Sequence, residues 1–329
     1  MTTRRPQKED GSQKKVLLAQ PRGYCAGVER AIQIVETCLD LWGPPIFVRK
    51  EIVHNRWVVE SLQDRGVVFV DSEDQVPRGS ICVLSAHGVS PEVQRRCRER
   101  NLRVIDATCP LVTKVHLEAR RFAAEGKTIM LVGHRGHEEI EGTFGQAVDQ
   151  TRVIEKPSDL DEMAIAPDDS VAYLTQTTLS VDDTRHLVDE LRRRYPSSAG
   201  PRGEDICYAT QNRQIATKVI AARSDVVLVV GALNSSNSNR LVEVACSAGT
   251  PAHLLPDESW LDPSWLEGAR VVGVSSGAST PEVLVDQLLE ALAGFGFKEI
   301  ETVEAVREDV TFALPSALRR QDQTSSGRK

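Results

Sequence analysis

Three of the seven cysteines, Cys25, Cys109 and Cys207, sit where an apolar run gives way to a helical pattern, flanked by turn-forming or small polar residues. Their neighbours are Gly23 and Gly27, Thr108 and Pro110, and Asp205 and Thr210. A thiolate at a helix N-terminus is stabilised by the helix dipole and by free N–H groups, which suits it to ligate a metal or attack as a nucleophile. The chain has no C-x-x-C, so zinc-ribbon and ferredoxin spacings are absent. Three isolated thiolates brought together by a fold suit an iron–sulfur cluster with one iron lacking a protein ligand, an open Lewis acid for a substrate oxygen. Zinc held by three thiolates and a water, or a single catalytic cysteine, is compatible with the same spacing. Cys38, Cys82, Cys97 and Cys246 read as structural thiols within helices or strands.

A second set of residues suits an anion. His54 in VHN, His87 in SAHG and His137 in GHRGHEE lie in Gly- or Asn-rich strand ends, with His134 beside the last of them as a competitor. His116, His186 and His253 lie in or near helices and fall outside this set. The run NSSNSN, Asn234 to Asn239, offers more small hydrogen-bonding side chains than one helix cap needs, and Ser235, Ser236 and Asn237 therefore read as a phosphate site at a helix start. With Thr177, Thr178 and Ser279 they make a donor-rich cradle for a small anion such as a diphosphate. Glu138, Glu139 and Glu141 follow His137 directly. A carboxyl next to an anion and a cluster would be kept protonated by like charge and desolvation, and so serve as an acid.

Short β-branched runs alternate with amphipathic stretches from KVLLAQ at residue 15 to PEVLVDQLLEALAGFG, which ends at 296. That alternation predicts an α/β fold with mostly parallel sheets and chemistry at strand C-termini. The motifs recur: SAHGVSPEV, TQTTLSVDD and SSGASTPEV start 90 and then 100 residues apart, and the three cysteines are 84 and 98 residues apart. Three similar α/β units arranged around a pseudo-threefold axis follow, over 16–108, 109–204 and 205–315, with one cysteine from each converging there. Residues 1–15 and 316–329 read as polar tails.

Composition narrows the function. Forty basic residues against 47 acidic ones give a net charge of -7, which argues against a nucleic-acid or anionic-membrane partner. No apolar run reaches the roughly 18–20 residues of a spanning helix, and the first residues carry no signal-type apolar core. A cytoplasmic protein is expected, and its odd number of cysteines agrees with free thiols. Arg95, Arg96 and Arg98, and Arg192 to Arg194, read as solvated helix faces.

The motifs PRGYCAGVERAI, VHN, SAHGVSP, DATCPLVTKVH, GHEEIEGTFGQ, TQTTLS, DICYATQNRQ and NSSNSNRL, in order over roughly residues 16–312, closely resemble the LytB family of 4-hydroxy-3-methylbut-2-enyl diphosphate reductases. The resemblance implies a trefoil around one [4Fe-4S] cluster and reductive removal of the substrate's allylic hydroxyl, giving isopentenyl and dimethylallyl diphosphate at the end of the methylerythritol phosphate pathway. It also implies a ferredoxin or flavodoxin as electron donor. Carried onto this chain, Cys25, Cys109 and Cys207 correspond to the cluster ligands. His54, His87, His137, Ser235, Ser236, Asn237 and Ser279 correspond to the diphosphate site, Thr177 to the threonine beside the substrate hydroxyl, and Glu139 to the proton-delivering glutamate. Glu138 departs from the pattern, since the family often has Pro there.

Overall fold

The computed structural model describes residues 14–163, 165–166 and 169–318. The chain opens with β1 (Lys15–Gln20) and α1 (Ala26–Trp42). A first parallel sheet is then built from β2 (Ile46–Arg49), α2 (Arg56–Asp64), β3 (Val67–Val70), β4 (Ile81–Leu84), α3 (Pro91–Glu99) and β5 (Arg103–Asp106), with strand order β3-β2-β4-β5. After α4 (Pro110–Ala124) come β6 (Thr128–Val132), α5 (Glu138–Phe144), β7 (Thr151–Ile154), β8 (Val171–Thr175) and α6 (Val181–Arg194). Their sheet runs β7-β6-β8, again all parallel. The last stretch comprises α7 (Tyr208–Ala221), β9 (Val226–Val230), α8 (Ser236–Ser247), β10 (Ala252–Leu255), β11 (Val271–Ser276), α9 (Glu282–Gly294) and β12 (Glu299–Glu304).

The expected first unit, 16–108, is divided between two sheets. Strand β1 pairs with β11 on one side and β12 on the other, giving the order β10-β9-β11-β1-β12. The N-terminal strand thus closes the C-terminal sheet, while α1 packs its Ala31, Ile34, Val35 and Cys38 face in the core of the first sheet. The short apolar run KVLLAQ marks β1 as a strand; it carries no information about which sheet a parallel strand joins. The expected tails also shorten. Lys15 belongs to β1, and residues 316–318 form a helical turn whose Leu318 is fully buried against the α1 cluster. The rest of both expected tails lies outside the described residues.

Central strands such as VVLVV of β9 and TIMLV of β6 are buried along almost their whole length, as strands covered by helices on both faces must be. In each sheet the strand order reverses once: between β2 and β4, between β6 and β8, and between β9 and β11. Parallel sheets open a crevice beyond the strand C-termini at such reversals. The loops leaving those six strands carry the residues of interest at matching offsets. His54, His137 and Ser235 each stand five residues past the end of β2, β6 and β9, and His87, Thr178 and Ser279 each stand three past β4, β8 and β11.

Candidate functional site

The three loops after β4, β8 and β11 do more than carry side chains. Two residues beyond each strand, a carbonyl accepts the backbone N–H of one cysteine: Ala86 from Cys109 at 3.0 Å, Thr177 from Cys207 at 3.1 Å, and Ala278 from Cys25 at 3.1 Å. Each cysteine is also the N-cap of the helix that follows, α1, α4 or α7. The fold therefore brings the three thiols to one centre, and they share a cavity of about 110 Å³. Its lining includes Cys25, Cys109, Cys207, His54, His87, His137, Glu139, Thr177, Thr178, Ser235, Ser236, Asn237 and Ser279, so every residue expected in the site is in one place. His134 is not among them; it lies beside Glu155, 3.8 Å away.

Ionising the thiols at this centre is costly. Burial pushes the Cys109 thiol up to about 12 and the Cys207 thiol up to about 11, and raises Cys25 as well. Helix N–H groups pull the other way, from Gly27 and Val28 on Cys25, from Leu111 and Val112 on Cys109 and from Thr210 on Cys207, without overcoming burial. Thiols so placed lose their protons on binding a cationic metal centre. Gly27 keeps the space between the sulfurs open: a Cβ there would stand 2.8 Å from Cys109 Sγ and 3.7 Å from Cys25 Sγ. Among the described residues, no group of three or more His, Cys, Asp or Glu side chains is placed to hold a metal ion as the side chains stand. An open space bordered by three convergent thiols fits a polynuclear cluster.

Glu139 is 3 % exposed, and both its oxygens are engaged by one residue. Thr177 donates its N–H to Oε1 at 2.6 Å and its hydroxyl to Oε2 at 2.9 Å. Desolvation outweighs these two bonds and raises the carboxyl to about 7, so a proton is held there near neutrality.

The histidines are wired in two ways. His54 and His87 stack with ring centroids 4.1 Å apart, and each meets a carboxylate through Nδ1: Glu51 at 2.9 Å for His54 and Glu138 at 3.1 Å for His87. Asn234 also donates to Glu51 at 3.1 Å. A carboxylate on Nδ1 fixes the orientation of each ring. His137 instead caps α5, its Nδ1 accepting the Glu139 N–H at 3.2 Å. In the neutral ring the proton then sits on Nε2, which makes His137 a donor without an added charge. Burial, and next the charges of His87 and His54, hold it down at about 3. Burial also lowers His87, opposed by the Glu138 bond; in Glu138, burial is outweighed by His87 and His54, and its carboxyl stays below the usual range.

The remaining donors form a linked patch. Gln176 donates to Thr178 and Ser236, Thr178 donates to Ser236 at 3.1 Å, and Asn237 accepts the Ala278 N–H at 2.9 Å. Ser235 caps α8. Sequence reasoning missed the partners rather than the site: Glu51 under His54, Gln176 under Thr178, and Thr210, whose hydroxyl is 3.2 Å from Cys207 Sγ. The basic faces expected to be solvated are largely exposed, and they carry surface ion pairs, Arg95 with Glu92 and Glu99, and Arg193 and Arg194 with Glu190.

An α/β protein whose three parallel sheets close on three thiols beneath a histidine-, serine- and asparagine-lined cradle defines the class. Residues 16–293 match the family model described as LytB protein, and the chain belongs to that family. It is 55% identical over 308 residues to the 4-hydroxy-3-methylbut-2-enyl diphosphate reductase of Rhodococcus opacus, covering 93% of this chain and 92% of that one. A Mycobacterium tuberculosis protein named 4-hydroxy-3-methylbut-2-enyl diphosphate reductase 2 is 54% identical over 309 residues, 94% of this chain and 92% of its own. Among solved structures, the E-1-hydroxy-2-methyl-but-2-enyl-4-diphosphate reductase of Plasmodium falciparum superposes with a TM-score of 0.93 at 36% identity, covering 95% of this chain and 99% of that one. A second structure, (E)-4-hydroxy-3-methyl-but-2-enyl diphosphate reductase, the terminal enzyme of the non-mevalonate pathway, has a TM-score of 0.62 at 29% identity, with coverages of 85% and 99%.

The carboxylate wiring has a direct test. In Glu138→Gln the His87 imidazolium loses its partner, so its titration by NMR moves to lower pH than in the parent protein. An unchanged or raised titration point shows that the pair does not form in solution.

Proposed function

We propose that this chain catalyses the reductive dehydroxylation of (E)-4-hydroxy-3-methylbut-2-enyl diphosphate to isopentenyl and dimethylallyl diphosphate. Two electrons and two protons are taken up and water is released. The observation that carries the reading is the Glu139–Thr177 pair, a buried carboxyl raised to about 7 by desolvation and a hydroxyl, standing in the same cavity as three convergent thiols and a set of histidine, serine and asparagine side chains. LytB-family enzymes are iron–sulfur proteins, and Cys25, Cys109 and Cys207 are the residues that would hold a [4Fe-4S] cluster here, leaving one iron without a protein ligand. When bound, that group supplies the electrons and a Lewis-acidic site for the substrate's hydroxyl oxygen.

The rest is the work of side chains. The diphosphate is received by His54, His87 and His137, by Ser235, Ser236 and Asn237 at the start of α8, and by Ser279. His137 offers a neutral Nε2–H, while Glu51 and Glu138 stabilise positive charge on the other two rings as the anion arrives. Fixing the charged end orients the allylic hydroxyl toward Thr177. Thr177 donates its hydroxyl to Glu139 in the resting site, and reversal of that bond passes the Glu139 proton through Oγ1 to the departing oxygen.

No helix among the described residues is long and apolar enough to cross a membrane, and all seven cysteines are free thiols. A cytoplasmic setting and a ferredoxin- or flavodoxin-type electron donor belong to the same proposal.

Purified anaerobically, the protein should be brown, contain iron, and oxidise a reduced viologen only when the allylic diphosphate is present. A colourless zinc protein, or a brown one that oxidises nothing, would sink the reductase reading. Replacing any one of Cys25, Cys109 or Cys207 with Ser should strip or degrade the cluster, whereas Cys38→Ser, within the buried face of α1, should keep full iron content.

Glu139→Gln should lower kcat by about 10²- to 10⁴-fold, the usual weight of a positioned acid, with little change in diphosphate affinity. Equal losses in both would remove Glu139 from proton delivery. The acid works only when protonated and holds its proton to about pH 7. The pH profile of kcat/KM should therefore fall on the alkaline side through that region, and Glu139→Gln should abolish that limb.

A further inference from the structure

Burying a guanidinium is expensive unless its donors are satisfied, so fully buried arginines mark places where the chain needs them. Arg213 on α7 is 0 % exposed and Arg30 on α1 is 9 % exposed. Neither lines the cavity. Both spend their donors on backbone carbonyls immediately ahead of a cysteine. Arg213 donates from Nε and Nη2 to Gly23 O at 3.1 and 2.8 Å, and from Nη2 to Tyr24 O at 3.2 Å. These are the two residues before Cys25. Arg30 donates from Nη1 to Ala107 O at 3.2 Å and Thr108 O at 3.1 Å, the two residues before Cys109.

The third cysteine has the same device with a lysine. Lys114 on α4 donates to Glu204 O at 2.7 Å and lies 3.5 Å from Asp205 Oδ1, within the loop that leads into Cys207. Asp205 is held in turn by the Thr175 N–H at 3.1 Å. The three cations are equivalent in the chain: Arg30, Lys114 and Arg213 stand five, five and six residues beyond Cys25, Cys109 and Cys207. The connections run one way round. Helix α1 grips the loop before Cys109, α4 grips the loop before Cys207, and α7 grips the loop before Cys25.

We infer that Arg30, Lys114 and Arg213 form a closed ring of positioning residues, in which the helix started by each cysteine sets the loop of the next, holding all three thiols in register for one cluster. The inference rests on the reading of these cysteines as cluster ligands. Closure is what makes the ring more than three separate ties, because a shift of any one helix displaces a neighbouring sulfur. Two of the cations are also electrostatically coupled to thiols, Arg213 to Cys25 and Arg30 to Cys109, so they offset negative charge as the thiols ionise. The two arginines further tether the chain after β12, Arg213 through Glu308 at 2.9 Å and Arg30 through Ala313 O at 2.9 Å.

The test uses the cluster-loaded protein, anaerobically, with Arg213→Gln, Arg213→Lys and Lys114→Met. Arg49→Met serves as the control, because it breaks a buried ion pair with Glu73 inside the first sheet unit. Iron release to a ferrous chelator, the midpoint potential of the cluster and thermal unfolding are measured together. Arg213→Gln and Lys114→Met should release iron about 10- to 100-fold faster than the parent, the range found when outer partners of metal ligands are removed. Arg213→Gln should also lower the midpoint potential, since a positive charge near Cys25 is lost. Arg213→Lys should restore the potential but only part of the retention, because an ammonium keeps the charge and not the fork that spans two carbonyls. Arg49→Met should lower the melting temperature and leave iron release at the parent rate.

Ring variants that keep iron at the parent rate, or lose it only in proportion to their melting temperature as the control does, overturn the ring. If Arg213→Gln fails to fold, the part-exposed Lys114 carries the test alone. A parent protein that binds no iron overturns the cluster reading itself, which is a different result from a stable cluster indifferent to the ring.

Discussion

Each cavity cysteine is held through its own backbone, by an N–H that donates to a carbonyl two residues beyond a strand of a different part of the chain. Because the same residue is the N-cap of a helix, that one bond places a sulfur, a helix N-terminus and a strand end in a single arrangement, three times over. The remaining features of the site follow from it. The strand loops that accept these bonds carry His87, Thr178 and Ser279 on the next residue, so the anion cradle is registered to the thiols automatically. The close approach of α1 to Cys109 that this requires leaves no room for a side chain at position 27, which is glycine.

Around this frame the carboxylates stand in two settings. Glu139 is raised by desolvation and bonded at both oxygens by Thr177, whereas Glu51 and Glu138 stand behind His54 and His87. His137 joins the two systems, since its ring caps the helix whose second residue is Glu139. Glu138 is the partner of His87, so it stands behind a cavity-lining ring rather than free at the surface. A low-dielectric pocket makes such assignments sharp, because an unpaired charge in it is costly and a paired one is strongly oriented.

Much of this was legible before the fold. Cys25, Cys109 and Cys207 stood apart from Cys38, Cys82, Cys97 and Cys246 by their turn-forming neighbours, and the structure brings those three together in the cavity. The repeated strand-turn-helix motifs announced three related α/β units, and the matching offsets of His54, His137 and Ser235 bear out that repeat. The joining of β1 to the last sheet was not legible, because short apolar runs of buried parallel strands are interchangeable as far as pattern goes. Neither were the roles of Glu51 and Glu138, since exposed carboxylates outnumber functional ones and nothing local distinguishes them. A basic residue five or six positions after each cysteine was present in the motifs, but its meaning appears only when the neighbouring loop is seen beside it.

The sequence by itself determined what is written in near neighbours: strand and helix periods, caps, the chemical types in the site, and the resemblance carried by long motifs. These depend on backbone propensity and on residues within a few positions, so no folding is needed to read them. Only the closed fold makes the long-range pairings: Glu138 behind His87, each cysteine N–H on its carbonyl, and each cation on its loop. Those contacts join residues tens to hundreds of positions apart, and their free energy exists only once three separate sheets have closed on one centre and excluded water from it.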